Sequence, residues 1–470
     1  MRTPLLFNAF VMNTPSHLSP GLWTHPDDHG RDYKRLAHWT GLARLLEEGL
    51  FDALFIADSL GVSDVFGGNA DTALQQAIHV PINDPFPLVS AMAVTTEHLG
   101  FGVTASVSYD HPVPFARRIT TLDHLTDGRI GWNIVTSSLA SAARNFGRTQ
   151  LDHDARYELA EEFASVCYKL WEASWEDDAV RDDTKAGVYA DPAKVHPIHH
   201  AGRFFEVPGI HLSEPSPQRT PLLFQAGASE RGRRFAARHA ECVFVGAPSK
   251  TVLKRSVSLI RDARRAAGLD PYGIRILAEH TVIAARDLAT AQERLNAYRA
   301  HASASGALAL MSGWIGHDLS RYGLDEPFRH IESNGIRTAV EAMSSADPNK
   351  VWTIGEIASW CGIGGLSPLS VGGPGEVADS LESWAEETDI DGFNLSYAVL
   401  PGSFRDFIEH AVPELQRRGL YKKSYAEGTL RRKLFGRDRL DAPHPAGLAR
   451  AEMAASSRES RQSRKAEEPA

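Results

Sequence analysis

The chain has 470 residues, of which 43% are apolar and 23% charged, and its formal net charge is −9. This composition is ordinary for a globular protein, and the negative charge excludes a basic surface for nucleic acid or anionic lipid. The three cysteines, Cys167, Cys242 and Cys361, are too far apart in sequence for a disulfide framework or a CxxC metal knuckle. No apolar run has membrane-spanning length, so we expect a cytoplasmic protein with small-molecule ligands and no membrane or nucleic-acid partner.

Short apolar runs alternate with longer segments of helical period along most of the chain. This pattern is typical of parallel strands joined by crossover helices. The expected strands are residues 5–10, 53–57, 101–107, 130–135, 222–226, 242–245, 274–283 and 392–397. The expected helices are residues 36–48, 88–96, 115–125, 157–171, 231–239 and 251–267. Eight is the number of strands that closes an α/β barrel, so the pattern predicts a (β/α)8 TIM barrel.

Three stretches are longer than the connections of a minimal barrel, namely residues 59–87, 174–221 and 300–390. We expect these insertions to cover the C-terminal mouth of the barrel, within a single domain that spans residues 1–440. Residues 441–470 are rich in Ala, Ser, Arg and Glu and contain almost no bulky apolar side chains. That composition predicts a disordered tail.

Polar side chains occur at several of the predicted strand ends, where the active sites of these barrels lie. Asp58 ends the second strand, Thr104 lies in the third, Ser137 and Ser138 follow the fourth, and Ser229 follows the fifth. Each of them alone also fits ordinary turn chemistry or a helix cap. Their shared position favours a functional site.

Two segments have the features of an anion site. In residues 225–232 a strand end and a glycine lead to Ser229 as the N-cap of an arginine-rich helix, and free N–H groups at a helix start bind phosphate. His153 and Tyr157 lie one helical turn apart on one face, so both could donate to a single phosphate. The alternative is a capped, solvent-facing helix start. Arg231 stands where a hydrolase nucleophile elbow needs glycine, which excludes that motif.

The histidines of the sequence include one candidate for the barrel mouth but no pattern of metal ligands. His17 follows the first strand, in a loop that would face the barrel mouth, although a loop histidine is commonly just solvent-facing. His196, His199 and His200 have no evident fourth ligand, and the HExxH motif does not occur. We therefore expect no bound metal.

Several longer segments resemble the bacterial-luciferase-like flavin monooxygenases, in the branch with the nitrilotriacetate, dibenzothiophene-sulfone, long-chain alkane and dimethylsulfide monooxygenases. These segments are 51–58 (FDALFIAD), 121–129 (TLDHLTDGR), 132–137 (WNIVTS), 214–221 (EPSPQRTP) and 412–419 (VPELQRRG). Residues 170–178 (LWEASWEDD) most resemble the alkane and dimethylsulfide enzymes. The likeness covers about residues 5–440.

The resemblance implies a two-component enzyme that takes FMNH2 from a separate NAD(P)H:FMN reductase, forms a flavin C4a-peroxide with O2 and oxygenates a small organic substrate. It also implies a homodimer or homotetramer. The residues implied to contact the flavin ring and ribityl chain are Asp58, Thr104, Asn133 and Ser137. Those implied to hold the phosphate are His153, Tyr157 and Ser229. His17 matches a histidine on the substrate side and is the implied residue for proton transfer.

The substrate pocket departs from the alkane enzymes. Ser63, His79, Ser138 and Leu310 stand where, by resemblance, those enzymes carry Tyr, Gln, His and His, whereas Trp314 is similar to the dimethylsulfide enzyme. Segments 60–79 and 308–315 contain no Lys or Arg, which favours a neutral, mainly apolar substrate. We rank small organosulfur compounds such as dialkyl sulfides first and alkanes second, with aminopolycarboxylates or sulfones as the alternative.

Two other functions stay open at this point. A coenzyme F420-dependent oxidoreductase uses the same barrel and also binds a phosphate at its mouth, but it would not consume oxygen with FMNH2. A non-catalytic flavin carrier would bind FMN without reacting. The long insertions argue against a carrier, because it needs no covered pocket that excludes water.

Overall fold

The computed structural model describes residues 4–227, 229–328, 340 and 350–467. The strands are β1 (Leu6–Met12), β2 (Ala53–Ala57), β3 (Gly100–Ser106), β4 (Ile130–Val135), β5 (Val180–Asp183), β6 (Val188–Ala190), β7 (His200–Ala201), β8 (Glu206–Val207), β9 (Leu222–Gln225), β10 (Cys242–Val245), β11 (Arg275–Ala284), β12 (Leu369–Gly372) and β13 (Gly392–Ser396). The helices are α1 (Leu36–Glu48), α2 (Asp71–Gln75), α3 (Phe86–Ala93), α4 (Pro112–Leu125), α5 (Ala140–Asn145), α6 (His153–Tyr168), α7 (Glu230–His239), α8 (Lys250–Ala266), α9 (Leu288–His301), α10 (Ala304–Ile315), α11 (Ile354–Cys361), α12 (Pro374–Thr388), α13 (Gly402–Asp406), α14 (Val412–Arg417), α15 (Leu430–Phe435) and α16 (Pro445–Glu467).

Eight parallel strands close into a barrel in the order β10-β9-β4-β3-β2-β1-β13-β11, with β10 paired to β11. The strands are near-continuous apolar runs because both faces of a barrel sheet are buried. Phe55 of β2 packs inside, with its ring centroid 5.5 Å from that of Phe224 and 4.3 Å from that of Phe244. Side chains of this size fill the interior, so the barrel is a packed core. The predicted (β/α)8 barrel is confirmed.

All eight predicted barrel strands are present. Residues 53–57, 130–135 and 242–245 have the predicted bounds, and the others differ by one or two residues at one or both ends. The prediction omitted β12, a short strand that pairs with the C-terminal half of β11. It also omitted the antiparallel pairs β5–β6 and β7–β8, which form within the insertion at residues 174–221.

The chain divides into two compact units. The first comprises Met1–Ala105, Trp132–His153 and Leu223–Tyr425 and contains most of the barrel. The second comprises Ser106–Gly131, Asp154–Leu222 and Ala426–Ala470. Across the described part of the chain, no helix combines the length and hydropathy needed to span a membrane.

In the first unit, two of the insertions pack together. Leu18, Ala73, Ile78 and Leu310 form a small buried apolar cluster. Leu18 follows β1 and Ile78 follows β2, so the cluster lies at the carboxyl ends of the barrel strands. Residues 329–339 and 341–349 of the third insertion lie outside the described residues.

In the second unit, a fully buried carboxylate joins three segments. Glu172 accepts hydrogen bonds from Arg439 (2.6 Å), Arg450 (3.1 Å) and the Thr220 hydroxyl (2.8 Å). Arg450 belongs to α16, so a helix stands where composition predicts a disordered tail. The reason is that a few specific contacts, including the buried Ala446, hold this helix although it contributes little apolar surface.

Removing residues 445–470 is therefore expected to lower the stability of the protein. The deletion takes away Arg450 and leaves Glu172 with fewer donors, which costs about 1 to 3 kcal/mol for a buried charged acceptor. Deleting only residues 457–470 keeps Arg450 and Ala446 and serves as the control. Thermal unfolding of the two truncated proteins tests this, and equal melting temperatures would contradict it.

Candidate active site

Two histidines meet at the carboxyl end of the barrel. His17 is buried in the loop after β1, and His79 lies at the end of the insertion that follows β2. The Nε2 atom of His79 is 2.9 Å from the His17 carbonyl oxygen, and the ring centroids are 5.7 Å apart. His79 has a φ of 52°, a left-handed conformation that non-glycine residues adopt at an energetic cost. The backbone is therefore held in an unusual geometry where these rings meet.

Both rings are held neutral at physiological pH. Burial, and secondarily the nearby His79, keep the pKa of His17 well below its usual value. Burial lowers the pKa of His79 to about 4. Within the described structure the buried Nδ1 atom of His17 has no hydrogen-bond partner. A neutral imidazole with a free nitrogen can accept or donate one proton, which fits the predicted role of His17 in proton transfer.

Two residues beside His17 were not predicted from the sequence. Tyr397 immediately follows β13, and its ring centroid is 6.3 Å from that of His17. Its buried hydroxyl oxygen and the buried Oδ1 of Asn13 both lack hydrogen-bond partners among the described residues. Burial raises the pKa of Tyr397, so the phenol keeps its proton. The available signal was position, because both residues directly follow a barrel strand.

Asp58, at the end of β2, is a carboxylate with a raised proton affinity. Burial is the main cause that brings its pKa to about 6, and the charge of Asp84 acts in the same direction. A hydrogen bond from the Ser59 backbone opposes this shift. Asp58 therefore carries a negative charge near neutral pH but gains a proton in mildly acidic conditions.

The predicted residues Thr104 and Asn133 lie together inside the barrel. The Asn133 Nδ2 atom donates to the Thr104 hydroxyl over 2.9 Å, which orients the amide. The Asn133 Oδ1 atom is then buried without a partner in the described part of the chain. Ser137 follows β4 with a φ of 47°, and the Ser138 carbonyl accepts a hydrogen bond from Gln150 over 2.6 Å. Strained backbone and buried unsatisfied acceptors are each common at binding sites.

Ser229 and His153, two residues of the predicted anion site, lie close together. Ser229 is the N-cap of α7, and its hydroxyl accepts from the Gly232 backbone over 3.1 Å. The same hydroxyl lies 3.2 Å from Nε2 of His153, a residue distant in sequence. Tyr157 follows His153 by one turn of α6 and is buried in the second unit. The helix-cap alternative for Ser229 is thus present in the structure, together with a histidine placed at the same helix start.

The predicted pocket residues differ in exposure. Ser63 is buried against α10, where a Cβ on Gly313 would lie only 2.7 Å from the Ser63 hydroxyl. Leu310 of the same helix is fully buried in the apolar cluster with Leu18. Trp314 is partly buried and packs against the same cluster. Position 313 therefore requires glycine, because Ser63 approaches the helix backbone closely there.

Two characterised proteins align with nearly the whole chain. Dimethyl-sulfide monooxygenase from Hyphomicrobium sulfonivorans is 48% identical over 453 residues, covering 96% of this chain and 94% of the relative. Long-chain alkane monooxygenase from Geobacillus thermodenitrificans is 49% identical over 444 residues, covering 94% of this chain and 97% of the relative. Both relatives are named as monooxygenases. Their identities to this chain are nearly equal, so sequence identity does not favour the substrate of either one.

Solved structures agree with the sequence relationships. The crystal structure of DmoA from Hyphomicrobium sulfonivorans superimposes with a TM-score of 0.89 at 48% identity, covering 95% of this chain and 96% of that one. Riboflavin lyase, crystallised with modified FMN and riboflavin, has a TM-score of 0.89 at 36% identity, covering 95% of this chain and 100% of that one. The luciferase-like monooxygenase family model matches residues 10–391. The chain belongs to the luciferase-like monooxygenase family and is a monooxygenase.

Proposed function

We propose that this protein is a two-component monooxygenase that binds FMNH2, reacts it with O2 and transfers one oxygen atom to a small, mainly apolar substrate. The observation that carries the proposal is the pairing of Ser229 with His153 at the start of α7. A hydroxyl, an imidazole and the N–H groups of a helix start together suit a phosphate monoester.

The barrel residues fit the rest of an FMN molecule. Asn133 offers a buried, unpartnered oxygen to a ring or ribityl donor, and Thr104 fixes its orientation. Asp58 follows β2 and Ser137 follows β4, the two strands on either side of β3. Tyr157, one helical turn after His153, is a further candidate for the phosphate because of the family resemblance. When bound, reduced FMN supplies the activation of O2, and the protein supplies position and a dry environment.

His17 is the proposed residue for proton transfer. Its buried Nδ1 has no partner among the described residues, so the nitrogen is free to exchange a proton with a group at the mouth. His79 fixes the loop that carries His17, by donating from Nε2 to the His17 carbonyl oxygen. The Tyr397 phenol lies next to the same ring and can donate a hydrogen bond.

The substrate is proposed to be neutral and small. Segments 60–79 and 308–315 contain no Lys or Arg, and Arg144, which reaches the first of them, is already paired with Asp64. A polycarboxylate would lose its hydration there without gaining cations. Sulfide sulfur is more easily oxygenated than an unactivated C–H bond, so we rank organosulfur compounds before alkanes. By resemblance, the substrate pocket differs from that of the alkane enzymes at four positions, namely Ser63, His79, Ser138 and Leu310.

A separate NAD(P)H:FMN reductase is the proposed partner. The loop at residues 361–367 (CGIGGLS) ends in serine where a dinucleotide-binding loop has glycine, so it offers no site for NAD(P)H. This supports the proposal that reduced flavin comes from another protein.

A substrate panel tests the proposed function. The protein is incubated with any FMN reductase, NADH and O2, and with a dialkyl sulfide, a sulfone, an alkane or nitrilotriacetate, and products are identified by mass spectrometry. We expect turnover of the sulfide first and the alkane second. Turnover of nitrilotriacetate alone would contradict the neutral pocket, and no turnover beyond the reductase blank would contradict the monooxygenase assignment at this site.

Ser229→Ala is expected to weaken the binding of reduced FMN about 5- to 150-fold, which corresponds to about 1 to 3 kcal/mol for a charge-assisted hydrogen bond. Ser249→Ala is the matched control, because Ser249 caps α8 in the same way, accepting from Val252 over 3.3 Å. Each variant should lose about 1 kcal/mol of stability with its cap. Anaerobic titration with reduced FMN measures the affinity of each variant. Equal affinities in Ser229→Ala and Ser249→Ala would show that Ser229 is only a helix cap.

A further inference from the structure

Glu279 is a carboxylate inside the barrel that the proposed function does not use. It lies on β11 in register with Asn394 on β13, and Asn394 is in register with Asn8 on β1. Residues in register on neighbouring parallel strands are about 4.8 Å apart, and their side chains share one face. The next residue, His280, faces the opposite side, where its Nε2 is 2.6 Å from the Ser370 hydroxyl. Glu279, Asn394 and Asn8 therefore form a polar row that faces the barrel interior.

The carboxylate fills a space left by a glycine. A Cβ on Gly246, just past β10, would lie 3.0 Å from Oε2 of Glu279 and 3.7 Å from the Cβ of Leu366. The side chain of Glu279 thus leans across the end of β10 towards the loop that contains Leu366. Any larger residue at position 246 would displace it.

The polar row has unmet hydrogen-bonding capacity. Asn394 is fully buried, and neither its Nδ2 nor its Oδ1 has a partner among the residues described. Gly246, just past β10, and Asn394 on β13 lie against Glu279, and neither is charged. Burial alone raises the pKa of Glu279 to about 7. The carboxyl group therefore exchanges its proton near physiological pH, without a counter-ion among the described residues.

A row of hydroxyls lies one step nearer the mouth. Thr281 and Ser396 are the next inward-facing pair on β11 and β13, and their hydroxyl oxygens are 2.5 Å apart. The Ser396 hydroxyl is in turn 3.1 Å from that of Ser367, in the loop after α11. These three buried hydroxyls lie between the level of Glu279 in the barrel and the loop after α11, and they form one hydrogen-bonded group.

We propose that Glu279 takes up one proton from solvent when reduced flavin binds at the mouth, so that capture of FMNH2 is coupled to neutralisation of this carboxylate. The inference rests on the proposed function. The step converts a carboxylate and a proton into a carboxylic acid, with no change of oxidation state. Its cause is electrostatic: the reduced flavin ring is anionic above neutral pH, and two negative charges in a low-dielectric interior repel each other. Oxidised FMN has a neutral ring, so its binding should not require the proton.

Anaerobic titration with reduced FMN between pH 7 and 9 tests this coupling. For one proton taken up, linkage sets a limit of about tenfold in Kd per pH unit. We expect Kd for the unmodified protein to rise with pH towards that limit, and Kd for Glu279→Gln to stay nearly flat. Glu386→Gln, at an exposed position of α12, is the control and should behave like the unmodified protein. The Kd for oxidised FMN should depend little on pH in the unmodified protein and in both variants. The FMN phosphate, with a second pKa of about 6, is largely dianionic across this range.

The same pH dependence in Glu279→Gln and in the control would overturn the inference while leaving flavin binding intact. Failure of the unmodified protein to bind reduced FMN at all would overturn the proposed function, and the inference with it. Infrared difference spectra give a second readout that needs no variant to be active. Binding of reduced FMN at pH 8 should produce the carbonyl band of a protonated carboxyl group in the unmodified protein, and its absence would contradict the coupling.

Discussion

Replacing His17 with glutamine is expected to lower kcat about 100- to 10,000-fold, the usual contribution of a positioned proton-transfer group. Glutamine keeps hydrogen-bonding capacity but cannot exchange a proton at the same nitrogen. The His17 imidazole is buried, neutral and free at Nδ1 among the described residues. Flavin affinity should change little, because the residues proposed to hold FMN lie on other strands. Hydrogen peroxide release per O2 consumed should rise as product formation falls.

His38→Gln is the control for this experiment. His38 lies on α1, away from the strand ends, and burial also lowers its pKa, so the variant tests for a general effect of losing a histidine. Product yield and peroxide are measured together under identical FMNH2 supply. Unchanged kcat in His17→Gln would show that His17 serves only packing against Phe10, whose ring lies 4.5 Å away.

Replacing Glu172 with alanine is expected to destabilise the protein by about 3 to 5 kcal/mol, the usual cost of removing one partner from a buried ion pair. Glu172 has no exposed surface, and its loss removes an acceptor from Arg439, Arg450 and the Thr220 hydroxyl. Both arginines keep a second partner, Asp177 for Arg439 and Asp441 for Arg450, so we expect the lower part of that range. Urea unfolding followed by circular dichroism measures the effect.

Glu158→Ala supplies the comparison for Glu172. Glu158 pairs with Arg203 over 2.6 Å, but both side chains are exposed to solvent. Exposed ion pairs contribute little to stability, so this variant should unfold at nearly the urea concentration of the unmodified protein. Equal shifts in the two variants would mean that the Glu172 cluster has no special role in stability.

The barrel could be predicted because its strands are short, apolar and buried on both faces, and that pattern is local in sequence. Helix α10 could not be predicted. Its residues, ASGALALMSGWI, are small or apolar on every side because nearly all of them are buried, so no polar face marks the helical period. The helix α16 was missed for a different reason, since the Arg450–Glu172 contact joins residues far apart in sequence.

The part of the candidate site that depends on residues adjacent in the sequence could be predicted. Ser229 is an N-cap because a strand, a glycine turn and a helix follow one another in sequence, and the structure confirms that cap. Its contact with His153 depends on the closure of the barrel and was suggested only by the family resemblance. Tyr397 was missed because its burial without a partner among the described residues depends on the fold, and only its position after β13 could have indicated it. Glu279 was missed because it lies within a strand, where the apolar pattern does not show which side chains face the barrel interior.

The origin of the oxygen atom in the product shows whether this protein is an FMNH2-dependent monooxygenase. The protein is supplied with FMNH2, a dialkyl sulfide and isotopically labelled O2 in unlabelled water, and the sulfur product is analysed by mass spectrometry. We expect one labelled oxygen atom per product molecule, formed only when reduced FMN is present. Product carrying unlabelled oxygen, or product formed equally well without the protein, would contradict it.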